Sequence, residues 1–248
     1  MPLLLGVNID HIATLRQARY ADNPAAPNAE PCPVQAGHDA MAGGADSLTI
    51  HVRGDRRHMQ DADAFRIRAE IPLPLNLEMG VTEEMVALAL KLMPEFVCLV
   101  PESRQEITTE GGLDVVGGFK KTRDVIARLQ SAGILISLFI DPDLSQVQAS
   151  ADAGADMIEL HTGAFANAIG GSVQAELGRL IAAAELGHHL GLQVNAGHGI
   201  NYTNISEILT IPHLAELNIG HSIIARSTRV GLTAAVRDMK QLMAAYSA

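Results

Sequence analysis

Positive charge is what this sequence has least of. Eighteen Lys and Arg stand against 28 Asp and Glu, a formal net charge of -10, and such a chain has little with which to neutralise a run of phosphates. Nucleic acid is excluded as a partner. Cysteine is equally scarce: Cys32 and Cys98 make no disulfide framework, which fits a reducing cytoplasm. No apolar run approaches the roughly 18 residues of a membrane span. The short apolar start has neither a basic lead nor a small-residue cleavage site, so a cytoplasmic protein without a membrane partner is expected. Low-complexity segments are missing as well. With 48% hydrophobic and 19% charged residues, the chain has the material for a folded core.

What is present is alternation. Apolar, β-branched runs predict strands at Leu3–Ile9, Ser47–Val52, Leu73–Met79, Phe96–Pro101, Leu135–Ile140, Met157–Thr162, Gln193–Ala196 and Glu216–Ile219. Amphipathic segments between them predict helices at Val34–Gly43, Asp61–Glu70, Glu83–Met93, Gly118–Ala132, Leu144–Ala153, Ser172–Leu190 and Thr203–Thr210, with a last one over Arg229–Tyr246. Eight strands alternating with helices in 248 residues point to one α/β domain over 1–248, a (β/α)8 TIM barrel, which typically needs about 250 residues. An open doubly wound sheet would carry a Gly-rich phosphate fingerprint after its first strand, and Asn8-Ile-Asp-His11 is not one. Ala42–His51 and Ala153–His161 resemble each other and lead into strands two and six, as two half-barrels would. Two connections are long. Residues 19–33 are rich in Ala, Pro and Asn, and Glu102–Gly117 is either a lid over the pocket or a solvated loop.

The chemistry gathers at strand ends. The run Leu3–Val7 stops at Asn8, Asp10 and His11, polar groups that a buried strand has no use for unless they face a site. Asn195-Ala-Gly-His198 and Asn218-Ile-Gly-His221 repeat that ending, so one pocket built from three strands is expected. His51 and Arg53 leave the second strand on the same side, a titratable group beside a cation, followed by Arg56, Arg57 and His58. Glu78 ends the third strand, where an apolar barrel mouth would raise its pKa and make it usable as a base. Glu159 in the sixth strand either pairs inside the barrel or acts on substrate. Glycines beside His198 and His221 suit phosphate binding after strands seven and eight. Lys91, Lys120, Lys121 and Lys240 all fall in helical segments, so no strand lysine is placed for a Schiff base. A metal site is an alternative for the same histidines and acids, although no H-x-H pair lies on a strand.

The segments GVNIDHIATLRQAR, GADSLTIHVRGDRRH, LNLEM, VPESRQEITTEGGLDV, IELHTG, VNAGHG and LNIGHSII together resemble the pyridoxine 5′-phosphate synthase family over nearly the whole length. That resemblance implies a (β/α)8 barrel with extra helices, a homo-octamer, no metal or organic cofactor, and two phosphorylated small-molecule substrates. These are 3-amino-2-oxopropyl phosphate and 1-deoxy-D-xylulose 5-phosphate, joined into pyridoxine 5′-phosphate with release of phosphate and water. It assigns Asn8, Arg19, Gly199, Gly220 and His221 to the aminoketone phosphate, and Asp10, His11, Arg53, His58 and Thr108 to the sugar phosphate. His51 and Glu78 match proton acceptors, His198 a proton donor and Glu159 a transition-state-stabilising acid. Two features depart from the family. Ala21–Pro33 is longer and more proline-rich, and Gly54 stands where a carboxylate is more usual.

Overall fold

The computed structural model describes residues 2–102 and 111–247. Its strands are β1 (Leu4–Asn8), β2 (Ser47–His51), β3 (Leu75–Gly80), β4 (Phe96–Val100), β5 (Leu135–Ile140), β6 (Met157–His161), β7 (Gln193–Gly197) and β8 (Leu214–Ile219). Each pairs in parallel with its neighbour in sequence, and β8 closes on β1 with Val7 opposite Ile219. The eight-stranded barrel is as the alternation predicts.

The helices among the described residues are α1 (Asp10–Tyr20), α2 (Pro33–Gly43), α3 (Asp61–Glu70), α4 (Glu83–Leu92), α5 (Phe119–Gln130), α6 (Leu144–Asp152), α7 (Gly163–Asn167), α8 (Ser172–His189), α9 (Ile205–Ile208), α10 (His221–Val230) and α11 (Leu232–Met243). Three of these lie outside the expected pattern. The buried face of α1 is Asp10, Ala13 and Arg16, so the apolar stripe that signals a helix is missing. Arg16 instead docks α1 on α3 through a two-pronged ion pair with Asp63, both arms 2.7 Å. The short α7 has no room for a period. At the C-terminus the single helix expected from Arg229 is two, because Gly231 at φ 82° breaks it and α10 runs back to His221.

Alternation along the strands separates two environments. Leu5, Val7, Ile50, Leu77, Leu99, Ile136, Leu138 and Ile158 face outward and join the helices in the main core. Barrels of this kind usually fill their interior with branched aliphatics as well. Here much of the interior is polar, with a small apolar cluster of Cys98, Val100 and Phe139 on β4 and β5. Ser47 bonds Glu216, Thr49 Oγ1 donates to Asn218 Oδ1 at 3.1 Å, and Asn218 Nδ2 donates to Glu159 Oε2 at 2.7 Å. Gly6 leaves the room for this, since a Cβ there would overlap Asn218 and lie 2.6 Å from Glu216 Oε1. Pairing across the barrel is what makes so many buried polar groups tolerable.

Candidate active site

The C-terminal strand ends open into a cavity of about 680 Å³, the end at which (β/α)8 enzymes carry their chemistry. Its wall holds Asn8, Asp10 and His11 from the β1–α1 junction, and His51, Arg53 and His58 from β2 and the loop after it. Glu78 comes from β3, Glu159 from β6, His198 and Gly199 from the end of β7, and Gly220 and His221 from the start of α10. Two expected residues are not among them. Thr108 lies outside the described residues, as does the 103–110 part of the expected lid. Arg19 lies elsewhere in this chain: it lines a separate depression with Ile12, Leu15, Cys32 and Leu232. Because α1 starts at Asp10, 3.6 residues per turn bring His11 and Thr14 to the mouth and turn Ile12, Leu15 and Arg19 away from it. Of the three Asn–His endings, two bring both residues to the cavity. In the third, His198 lines it while Asn195 sits against Gln193 and Met157.

One side of the cavity is a cluster of acids around His51. The Asp10 N–H donates to Asn8 Oδ1 at 3.0 Å, and Asp10 Oδ1 accepts the His51 backbone N–H at 2.7 Å. Asn8 Nδ2 lies 3.4 Å from both Glu78 oxygens. The His51 ring stands between two carboxylates, with Nδ1 3.7 Å from Glu78 Oε2 and Nε2 3.0 Å from Glu102 Oε1. Burial, then the charge of Glu78, pushes Asp10 up to about 7. Burial likewise raises Glu78, against the pull of His51 and Asn8. For His51 burial acts downward, but the Glu102 hydrogen bond and the charges of Glu78, Asp10 and Glu102 prevail and raise it. Burial and the Glu78 charge hold the proton on Glu159 well above the usual carboxylate range. Groups packed this closely exchange protons as a set and not one by one. Asp10, His51 and Glu78 also place donor atoms within 4.8 Å of one another, near enough for a divalent ion. Each is already engaged by a hydrogen bond inside the site, which favours a proton network.

The other side is built for an anion. His198 and Gly199 both take positive φ, 65° and 86°, and a Cβ at Gly199 would come within 2.8 Å of Ala166. Thr162 Oγ1 holds the His198 carbonyl. Beside this turn begins α10, whose first N–H groups and dipole favour negative charge. Gly220, its N-cap, packs so close to Asn8 that a Cβ would sit 3.1 Å from Asn8 Cβ. His221 Nδ1 and His11 Nδ1 meet at 3.1 Å and join the two sides. Burial lowers His198 to about 4, helped by the charges of His161 and His11, and lowers His58 to about 3. Both imidazoles are neutral at pH 7.

Several contributors escape a reading by strand alternation. Glu102, taken only as the start of a loop, reaches back to His51 from beyond Pro101. The apolar run ending at Val100 followed by an acid was the available signal. Phe139 lines the cavity from β5. Buried His161, paired with Asp141 at 2.9 Å, lies edge-on to His198 with ring centroids 4.9 Å apart. Arg56 turns outward to Asp61 and Glu84, whereas Arg57 pairs with Asp55 and still lines the mouth.

Comparison with known proteins points one way. The family model described as pyridoxal phosphate biosynthesis protein PdxJ matches residues 5–245. A pyridoxine 5′-phosphate synthase of Akkermansia muciniphila is 60% identical over 96% of this chain and 98% of its own. Proteins of the same description from a Synechococcus species and from Opitutus terrae are each 54% identical over 97% of the chain, covering 98% and 99% of their own lengths. Among solved structures, the phosphoribosylanthranilate isomerase of Pyrococcus furiosus superposes with a TM-score of 0.63 at 12% identity, covering 97% of this chain and 98% of that one. The Thermus thermophilus isomerase gives 0.60 at 15%, covering 99% and 100%. At such identity these two speak for the barrel alone.

Proposed function

The chain belongs to the PdxJ family of pyridoxal phosphate biosynthesis proteins, and from that premise we propose how its barrel works as a pyridoxine 5′-phosphate synthase in vitamin B6 biosynthesis. Its substrates are 3-amino-2-oxopropyl phosphate and 1-deoxy-D-xylulose 5-phosphate. The observation that carries this reading is an anion-binding turn and an arginine-bearing strand end on either side of one acid–base cluster, all in one cavity. Asn8, Gly199, Gly220 and His221 hold the aminoketone phosphate. Asp10, His11, Arg53 and His58 hold the sugar phosphate, with Thr108 added by family resemblance.

The amine of one substrate condenses with the ketone of the other, so the enzyme needs no lysine of its own, and no lysine lines the cavity. Imine formation, dehydration, phosphate loss and ring closure are successive proton transfers. They call for several acid–base groups around one pocket more than for one strong nucleophile. His51 and Glu78 accept protons. His198, neutral in the free enzyme, gains the proton it later donates when a phosphate dianion settles beside Gly199 and favours its charged form. Glu159, a buried acid under the cavity, stabilises charge that develops above it. This chemistry draws on no metal or organic cofactor. The cytoplasm and a homo-octameric state complete the reading; no described helix is long and apolar enough to cross a membrane.

Purified enzyme given both substrates should release inorganic phosphate and form pyridoxine 5′-phosphate, at a rate unchanged by prior chelation. Glu78→Gln should lower kcat by about 10²- to 10⁴-fold while both substrates still bind in calorimetry. Absence of both products from the wild type would overturn the reading. A rate lost to chelation and restored by a divalent ion would favour a metal at Asp10, His51 and Glu78.

A further inference from the structure

We propose that Glu102 is a positioning residue for His51: its carboxylate grips the Nε2–H of the ring and turns the Nδ1 lone pair toward Glu78 and the cavity. The inference rests on the assignment of His51 as a proton acceptor. A neutral imidazole has one N–H, and two carboxylates compete for it. Glu102 Oε1 is 3.0 Å from Nε2 and Glu78 Oε2 is 3.7 Å from Nδ1, so the proton belongs on Nε2. Only with that tautomer can Nδ1 accept a proton from substrate.

Glu102 is itself held in place. Its Oε1 accepts the Gly80 N–H at 3.0 Å and its Oε2 the Gly54 N–H at 3.2 Å. A Cβ at residue 80 would lie 2.9 Å from the Glu102 carboxyl carbon, so glycine at the end of β3 is what lets the carboxylate sit there. A carboxylate fixed by two backbone donors orients an imidazole in the way outer groups orient catalytic and metal-bound histidines. The same donors and His51 keep Glu102 below the usual carboxylate range, against burial. His51 is also faced by Asp10 from the start of α1, by Glu78 from β3 and by His58, whose ring centroid is 5.9 Å away, with Arg53 near His58. Among these, Glu102 makes the one contact to the ring at hydrogen-bond distance in the described residues.

The test uses full-length Glu102→Leu, which removes the acceptor at Nε2 and leaves Glu78 as the carboxylate nearest the ring, moving the imidazole proton to Nδ1. Nitrogen-15 NMR without substrate should report an Nε2–H tautomer for His51 in the wild type and Nδ1–H in the variant. With substrates, kcat should fall by roughly a hundredfold or more with both KM values within about threefold. The acid limb of kcat/KM should move to lower pH, because the charge that favours the imidazolium is gone. An unchanged tautomer or an unmoved limb would overturn the proposal even if the rate falls. Should Glu102→Leu fail to fold, Gly80→Ala displaces the carboxylate without removing it and must shift the tautomer ratio in the same direction. The NMR result needs no turnover, so an inactive wild type would sink the functional reading while the hold of Glu102 on the His51 tautomer is still tested by itself.

Discussion

At the scale of single residues, Asp10 shows fold and chemistry pulling against each other. Its carboxyl is buried beside Glu78, and its pKa rises from 3.8 to about 7. Between those values the folded chain keeps a proton that the unfolded chain has lost, so stability from this group declines as pH rises through that window. Above about 7 the full penalty of a buried charge applies. Asp10→Asn should therefore match the wild type near pH 4 and exceed it at pH 8, by up to about 4 kcal/mol for a three-unit shift, while losing activity; denaturant melts at the two pH values measure the difference. A wild type equally or more stable at pH 8 relative to Asp10→Asn would refute this. His51, Glu78 and His198 were legible because each ends an apolar strand with a group that needs a partner. Glu102 was not, because it lies past the strand and Pro101, and only the closed barrel brings it back to His51.

The elements around the mouth depend on contacts that hydrophobic period does not record. Helix α1 buries Asp10, Ala13 and Arg16, and the Arg16–Asp63 pair is all but dry, with side chains 3% and 10% exposed. Removing one member leaves the other charge buried and alone, which typically costs about 3–5 kcal/mol. Asp63 retains the Gln60 N–H at 2.9 Å, so Arg16→Met should fall at the low end, about 3 kcal/mol, read as an earlier midpoint in urea. A midpoint equal to the wild type would mean that α1 is held by something else. The same missing stripe hides where Arg19, which family resemblance assigns to a phosphate, lies in this chain. Without a helix starting at Asp10, nothing in the residues says that Arg19 turns away from His11. Gly231 likewise hid α10, and with it the helix start behind Gly220 and His221.

The whole molecule has a polar column inside an apolar shell. The strands alternate as an ordinary barrel requires, but their inward residues include Ser47, Thr49, Asn76, Glu159, Asn195 and Asn218, all buried, beside a small apolar cluster of Cys98, Val100 and Phe139. Beyond the single chain, Leu15 is 58% exposed and shares the depression outside α1 with Ile12 and Arg19. A large apolar side chain so placed suits a subunit contact, and light scattering should return about eight times the 26.3 kDa chain mass; a monomer would sink the octamer. The sequence alone determined the parallel alternation, the eight strand positions and the polar endings of β1, β2, β3, β7 and β8, since each follows from period and local polarity. Tertiary structure decided which polar residues share a cavity, that Arg19 is outside it, that Glu102 meets His51, and which carboxyl stays protonated. Those depend on burial and on distances across the closed sheet, between residues far apart in the chain.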